Sequence, residues 1–180
     1  GGGARGCGVA AGRITMFTWP HWRAGGCRFR GRPRTHLANF CRMFRGTYTA
    51  LGTPFRAGAV DEAAFAKLIE TQIAAGVQGI VAIGTTGESP TLSHAEREQI
   101  IRHAVAVANG RCQVLAGTGS YSTSETIAAT NAAAKMGLDG AIIVAPSSHN
   151  PSKERVFRHF RANAQAPPSP ILALHISGRV

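Results

Sequence analysis

The first quarter of the sequence lacks acidic residues altogether, and the positive charge is concentrated there. Residues 1–46 contain nine arginines but no lysine, aspartate or glutamate. From Thr47 onward eleven lysines and arginines are balanced by nine acidic residues, so most of the net charge of +11 belongs to this basic leader. Residues 1–46 also hold ten of the 22 glycines and show no helical or strand periodicity. We therefore predict a disordered leader over 1–46 and a folded domain over 47–180.

Three interpretations of the leader are open. Its arginines, interleaved with Trp19 and Trp22, are typical of a nucleic-acid-binding arm. An organelle transit peptide is also arginine-rich and poor in acids, but such peptides are usually rich in serine, and this leader has none. The interpretation we favour is that residues 1–42 are non-native sequence translated ahead of Met43. Nucleic acid is then not expected as a partner, because the domain itself is nearly neutral.

Other absences narrow the class of protein. There is no run of about 18 apolar residues, so no membrane-spanning helix is predicted. The four cysteines show no Cys-x-x-Cys spacing, so we expect no zinc site, and no metal or cofactor of another kind is indicated. Cys112 opens an apolar run and is predicted to be a small buried residue. A cytoplasmic protein is the expectation from this cysteine usage.

From Thr47 onward, short apolar strands alternate with amphipathic helices. Strands are predicted at 47–51, 79–83, 113–116, 141–144 and 171–174. Four β-α units followed by a fifth strand indicate a parallel sheet with right-handed crossovers. Either an open doubly wound sheet or a (β/α)8 barrel fits this order. The absence of a dinucleotide-binding fingerprint after the first strand favours the barrel.

Helix boundaries are marked by capping residues. Asp61 is predicted to begin the first helix, and Ser93 with Glu96 has the spacing of a capping box before the second. Ser122 with Glu125 has the same spacing before the third helix. Ser152 is predicted to begin a fourth helix, and we expect it to bury one apolar face. That face would comprise Val156, Phe157 and Phe160.

The most informative segment is Gly-Thr-Thr-Gly-Glu-Ser at 84–89, which follows the second strand. Chemistry in parallel α/β folds is placed at the carboxyl ends of the strands. Glycines there allow close backbone approach, and the hydroxyls and amides of Thr85 and Thr86 can hold a carboxylate or pass on a proton. The alternative interpretation is a tight turn that is simply rich in small residues.

Three motifs, taken together and in order, resemble the dihydrodipicolinate synthase family. They are Leu-Gly-Thr-Pro-Phe at 51–55, the segment at 84–89, and Ala-Gly-Thr-Gly at 116–119. The resemblance runs from about Phe44 to the C-terminus. The double threonine followed by Glu-Ser favours the synthase branch of the pyruvate-dependent aldolases over the sialic-acid lyase branch. The resemblance implies an α/β fold, a (β/α)8 TIM barrel, truncated in this chain after about the fifth strand, and a homo-oligomer.

The resemblance also implies a chemistry. Family members are carbon–carbon lyases that condense pyruvate with aspartate semialdehyde in lysine biosynthesis, through a Schiff base on a lysine of the sixth strand. A threonine and two tyrosines relay protons, one tyrosine coming from a neighbouring subunit. By this resemblance Thr85 is the catalytic relay threonine, Thr86 binds the pyruvate carboxylate, and Arg179 binds the carboxylate of the aldehyde substrate.

The chain departs from the family pattern at several of these positions. Ser148 and Leu174 stand where the two tyrosines are expected, although His175 lies next to the second of these positions. The lysines of the chain, Lys67, Lys135 and Lys153, all fall in predicted helices. We therefore expect an inactive fragment or degenerate member of the family that self-associates through open strand edges. The alternatives are a nucleic-acid-binding protein that uses the leader, or another pyruvate-dependent aldolase of the superfamily.

Overall fold

The computed structural model describes residues 44–146, 151–166 and 169–174. The described strands are β1 (Tyr48–Ala50), β2 (Phe55–Arg56), β3 (Ala59–Val60), β4 (Gly79–Ala82), β5 (Gln113–Gly117), β6 (Gly140–Val144) and β7 (Ile171–Leu174). The helices are α1 (Glu62–Ala74), α2 (His94–Ala108), α3 (Thr123–Ala134) and α4 (Lys153–Gln165), with a 3-10 turn at Ser89–Thr91. None of the helices in these ranges is long and apolar enough to cross a membrane.

Five strands form one parallel sheet in the order β1-β4-β5-β6-β7. Each neighbour in the sheet is also the next sheet strand along the chain, so the order never reverses. A doubly wound sheet requires such a reversal, whereas a (β/α)8 barrel adds its strands in sequence. The strand order therefore selects the barrel architecture from the two that the sequence left open.

A short antiparallel hairpin, β2-β3, connects β1 to α1 and was not predicted. Its two central residues, Ala57 and Gly58, have φ angles of 50° and 81°. Positive φ at both positions is the requirement of a type I′ turn, whose twist matches that of paired strands. Each strand is only two residues long, which is too short for an alternating pattern to be recognised in the sequence.

The predicted helix starts are confirmed by their capping bonds. Asp61 accepts a hydrogen bond from the Ala64 amide at 3.0 Å. Before α2, the Glu96 amide donates to the Ser93 hydroxyl and the Ser93 amide donates to the Glu96 carboxylate, which completes the capping box. Before α3, the Ser122 hydroxyl caps the helix by accepting from the Glu125 amide, but the Glu125 side chain accepts from Ser120 at 2.7 Å instead. That box is therefore half formed.

The main core lies between the outer face of the sheet and the helices. The sheet contributes alternate residues, such as Ile80 of β4 and Val114 of β5, and α1 contributes Phe65 and Ile69. The face of α2 that packs there comprises Ile100, Ile101, Ala104 and Ala108. Cys112 belongs to the same cluster and is 8% exposed, which confirms it as a small buried residue.

The predicted apolar face of α4 is correct at Val156 and Phe160, which are half-buried, and wrong at Phe157. The buried side chains are His159 and Asn163, whereas Phe157 is 52% exposed. The His159 ring nitrogen Nδ1 lies 2.9 Å from the Thr123 hydroxyl of α3. The Asn163 side-chain amide donates to the His159 carbonyl at 2.8 Å. The buried face of α4 therefore includes a polar contact with α3 that hydrophobicity alone did not indicate.

Phe44 packs on the face of the sheet opposite to the helices. Its ring meets that of Tyr48 edge-on, with ring centroids 6.1 Å apart. A Cβ atom on Gly140 would lie 2.9 Å from the Phe44 ring, so glycine makes room for this aromatic. Phe44 falls within the range predicted as leader, and residues 1–43 of that leader lie outside the described residues. The division at residue 46 stays a prediction.

Candidate active site at the carboxyl edge of the sheet

The two threonines singled out from the sequence lie in a tight turn directly after β4. The amide of Gly87 donates to the Gly84 carbonyl at 3.1 Å, and the amide of Glu88 donates to the Thr85 carbonyl at 3.1 Å. Both threonines are exposed. No group in the described ranges bonds to the hydroxyl or the amide N–H of Thr85 or Thr86. The turn therefore presents two amides and two hydroxyls that are free to bind a ligand.

The turn is bounded by two residues in the left-handed region of the backbone. Ile83 has φ 46° and Glu88 has φ 55°. A left-handed conformation is unusual for any residue with a side chain, and for a β-branched residue such as isoleucine it is a genuine outlier. Each such residue costs on the order of 1–3 kcal/mol and persists only when its surroundings enforce it. Ile83 is 3% exposed, so the surrounding core supplies that enforcement.

Neighbouring strand ends hold the turn in place. The Thr53 hydroxyl, which follows β1, donates to the Gly87 carbonyl at 2.8 Å. A Cβ atom on Gly87 would lie 3.1 Å from the Leu51 carbonyl oxygen, and one on Gly117 would lie 2.5 Å from that of Ile83. The three sequence motifs thus meet at one point of the sheet. Their glycines are needed because backbone packs directly against backbone there.

The segment after β5 is fixed by a buried chain of hydroxyls that sequence reasoning missed. Thr118 and Thr130 share a hydrogen bond of 2.7 Å between their hydroxyl oxygens. Thr130 also donates to the Thr126 carbonyl, and Thr126 accepts from the Ser120 amide at 2.9 Å. The only signal in the sequence is a pair of threonines four residues apart on a helix. These bonds hold the third motif beside the turn.

The shifted pKa values of the described acids belong to capping and pairing groups rather than to the turn. The Ala64 amide lowers the pKa of Asp61, and the Ser93 hydroxyl and amide lower that of Glu96. The hydrogen bond from Arg111 lowers the pKa of Glu70. Within the described ranges, no cluster of three or more His, Cys, Asp or Glu residues suited to a metal ion is found. The turn therefore offers a ligand hydrogen-bond donors rather than a shifted acid or a described metal cluster.

The lysines lie in helices or at a helix cap rather than directly after a sheet strand. Lys67 is inside α1, Lys153 is the first residue of α4, and Lys135 directly follows α3. All three are exposed. Their predicted helical placement is confirmed for Lys67 and Lys153, and Lys135 occupies the C-cap position. No lysine of the sequence lies at a strand end in this structure.

Three other positions singled out from the sequence fall outside the described ranges. Arg179, Ser148 and His175 lie outside the described residues, so the structure does not bring them to the turn or keep them from it. Leu174 is the last residue of β7 and is half-buried. Its side chain has no hydroxyl and does not replace a tyrosine in proton transfer.

An open cavity of about 510 Å³ lies at the opposite, amino edge of the sheet. It is lined by residues that precede β4, β5 and β6, among them Gln78, Cys112 and Asp139. Arg111, at its rim, donates to the Glu70 carboxylate at 2.8 Å and to the Val107 carbonyl. These bonds pin α1 to the end of α2, and the cavity has no part in the site at the threonine turn.

The fold and the meeting of three motifs at the carboxyl edge place the chain in the (β/α)8-barrel class. The model of the dihydrodipicolinate synthetase family matches residues 43–179. This chain belongs to that family. The resemblance drawn from the three motifs is confirmed, and so is the parallel α/β architecture of the first five barrel strands.

Individual proteins similar to this chain support the same family assignment. The chain is 50% identical over 137 residues to the 4-hydroxy-tetrahydrodipicolinate synthase of Parvibaculum lavamentivorans, a match that covers 76% of this chain and 47% of that protein. It is 47% identical, with the same coverage, to the enzyme of that name from Leptospira biflexa serovar Patoc. The solved 4-hydroxy-tetrahydrodipicolinate synthase from Methylacidiphilum fumariolicum SolV superposes with a TM-score of 0.71 at 45% identity, over 72% of this chain and 43% of that one. The chain thus spans about half the length of the curated relatives that it matches.

Proposed function

We propose that the described residues form the pyruvate-binding portion of a dihydrodipicolinate synthase. We also propose that the 180-residue chain does not by itself condense pyruvate with aspartate semialdehyde. The observation that carries the first proposal is the Thr85–Thr86 turn, exposed at the carboxyl edge with its donors unengaged. Family membership supplies the reaction class.

The proposed roles follow from the groups that the turn presents. A carboxylate accepts several hydrogen bonds, and the amide and hydroxyl of Thr86 are both available to donate to one. Thr85 precedes it and offers a hydroxyl that can accept a proton from one group and donate its own to another. We assign Thr86 to the pyruvate carboxylate and Thr85 to the proton relay. Arg179 is proposed to bind the carboxylate of aspartate semialdehyde.

The second proposal rests on the nucleophile. A Schiff base requires a neutral amine beside the pyruvate ketone, and that amine must be on the same side of the barrel as the bound carboxylate. Lys67, Lys135 and Lys153 are exposed on the helical layer. None of the three follows a sheet strand directly, so we expect no lysine amine beside a ketone bound at the threonine turn, and the covalent route then has no starting point.

The relay is the third element of the proposal. Ser148 occupies the position at which the family resemblance implies a tyrosine. A serine hydroxyl is shorter than a phenol and much less acidic, so it transfers protons poorly at neutral pH. We expect this substitution alone to lower the turnover of any complete barrel built on these residues.

A chimeric barrel tests all three assignments. Residues 43–180 are joined to the part of the Parvibaculum lavamentivorans synthase that follows its matched 137 residues, which by family resemblance carries the sixth-strand lysine. We expect weak condensation by the chimera and none by the 180-residue chain. Ser148→Tyr should raise kcat by about 100-fold, a typical contribution of a placed proton donor. A chimera that folds but whose turnover is unchanged by Ser148→Tyr would contradict the relay assignment.

The carboxylate assignment has its own control in the same chimera. Thr86→Val should raise the KM for pyruvate, because it removes one donor while conserving side-chain shape. Thr71→Val, an exposed change on α1 far from the turn, should leave the KM unaltered. Equal KM values for the two variants would refute the role of Thr86. We also propose that the complete barrel assembles as a homo-oligomer and acts in the cytoplasm. Residues 1–42 are proposed to be dispensable for its fold.

A further inference from the structure

One buried side chain connects the threonine turn to a different strand. Thr53 lies three residues after β1 and is 8% exposed. Its hydroxyl donates to the Gly87 carbonyl at 2.8 Å across a sequence separation of 34 residues. Among the described residues, it is the one side chain from outside residues 84–91 that bonds to any residue of 84–88, and Arg97 of α2 donates to the carbonyl of the next residue, Ser89, at 2.7 Å. The Thr91 hydroxyl also reaches this segment, but from within the same loop.

We expect the turn to need a contact from outside itself, because its short-range backbone hydrogen bonds do not by themselves favour the positive φ angles at its two ends. Ile83 and Glu88 both have positive φ, and the bonds within the turn are backbone bonds that span only a few residues. A segment held away from its preferred backbone angles relaxes unless its surroundings over-determine it. The Thr53 hydroxyl supplies a bond from outside the turn, at the carbonyl that follows Thr86.

Contacts on the other sides limit where the turn can go. Gly87 is backed by the Leu51 carbonyl, and the Ile83 carbonyl lies over Gly117. The Thr86 carbonyl lies 4.0 Å from where a Cβ atom on Gly52 would be. Residues 52–53 and 86–87 therefore run side by side, and a displacement of Gly87 displaces Thr86 with it.

From these contacts we infer that Thr53 is a positioning residue, which fixes Thr85 and Thr86 where they bind a small 2-oxo carboxylate. The ligand class in this inference rests on the proposed function, whereas the anchoring of the turn does not. Thr53 touches no reacting atom. Its hydroxyl acts through the Gly87 carbonyl.

The test compares isosteric and conservative variants of the full 180-residue chain. Thr53→Val removes the hydroxyl and keeps the shape, whereas Thr53→Ser keeps the hydroxyl. Thr49→Val is the matched control, because the Thr49 hydroxyl of β1 is buried without a hydrogen-bond partner in the described structure. Hydrogen exchange is followed by mass spectrometry on the peptide that covers 84–89 and on peptides from β5 and α2.

We expect Thr53→Val to speed exchange in the 84–89 peptide by about tenfold, the effect of losing one buried hydrogen bond, with smaller changes in the core peptides. Thr53→Ser and Thr49→Val should exchange like the parent. Three results would overturn the anchoring role of Thr53. They are an unchanged exchange rate in the 84–89 peptide of Thr53→Val, an equal increase in every peptide, and an exchange rate in Thr53→Ser as fast as that in Thr53→Val.

Pyruvate binding is the second readout, measured by saturation transfer to the pyruvate methyl group. If the parent binds pyruvate, Thr53→Val should weaken binding by about tenfold and Thr53→Ser should restore it. Loosening of the turn without loss of affinity would overturn the positioning role. If the parent itself gives no pyruvate signal, the proposed function fails at this turn, and the exchange comparison still decides whether Thr53 anchors it.

Discussion

Replacing Gly117 with alanine should push the threonine turn out of place and destabilise the fold. The added Cβ atom would lie 2.5 Å from the Ile83 carbonyl oxygen and 2.9 Å from the Gly84 Cα atom. Ordinary contacts begin at 3.4 Å, so backbone must separate by about 0.9 Å. Because both neighbours are backbone atoms, no side-chain rotation relieves the clash.

The size of the effect follows from overpacking of a well-packed site. We expect Gly117→Ala to lower the free energy of unfolding by about 1–3 kcal/mol. For a domain of this size, that corresponds to a decrease in Tm of about 3–10 °C. Urea unfolding followed by circular dichroism measures the first quantity, and a thermal scan measures the second.

Gly52→Ala is the matched control at the same edge of the sheet. The nearest atom to its added Cβ would be the Thr86 carbonyl oxygen at 4.0 Å, an ordinary contact. The substitution also reduces the freedom of the unfolded chain, so stability should stay the same or rise by up to about 1 kcal/mol. Equal stabilities for the two variants would refute the close approach of β5 to the turn.

Three further predictions concern stability and assembly. Burial lowers the pKa of His159, so the unfolded chain takes up a proton at higher pH than the folded chain. Stability should therefore be complete above the ordinary histidine pKa of about 6.5 and fall as the pH drops through it. Urea titrations at several pH values check this, and His159→Gln should flatten the slope. Deleting residues 1–42 should leave the melting transition unchanged, and loss of cooperative melting would show that the leader belongs to the core. In the described sheet, β1 and β7 are edge strands that no described strand pairs on the outer side, so light scattering should show self-association, and a soluble monomer at micromolar concentration would contradict it.

The parts of the fold that could be predicted from sequence depend on local signals. Asp61 and Ser93 cap their helices because the accepting side chain and the donating amide are only three residues apart. The predicted strand at 171–174 coincides with β7, since a short apolar run bounded by proline and polar residues is typical of a buried strand. In both cases the residues that determine the structure are neighbours in the sequence.

The parts that could not be predicted depend on contacts between distant residues. Nothing near Thr53 in the sequence indicates that it bonds to Gly87. The left-handed angle at Ile83 runs against the preference of isoleucine, so local propensity gives the wrong answer there. On α4, the buried face includes His159, whose ring contacts Thr123 of α3, and a hydrophobic pattern does not detect a polar contact.

Trapping with borohydride tests the central claim most directly. The full chain and the chimera are incubated with pyruvate, reduced, and their intact masses measured. The account predicts no adduct on the 180-residue chain and one pyruvate per chimera, attached to the lysine that the added segment supplies. A stoichiometric, single-site adduct on Lys67, Lys135 or Lys153 of the full chain would contradict it, because none of those lysines follows a sheet strand directly.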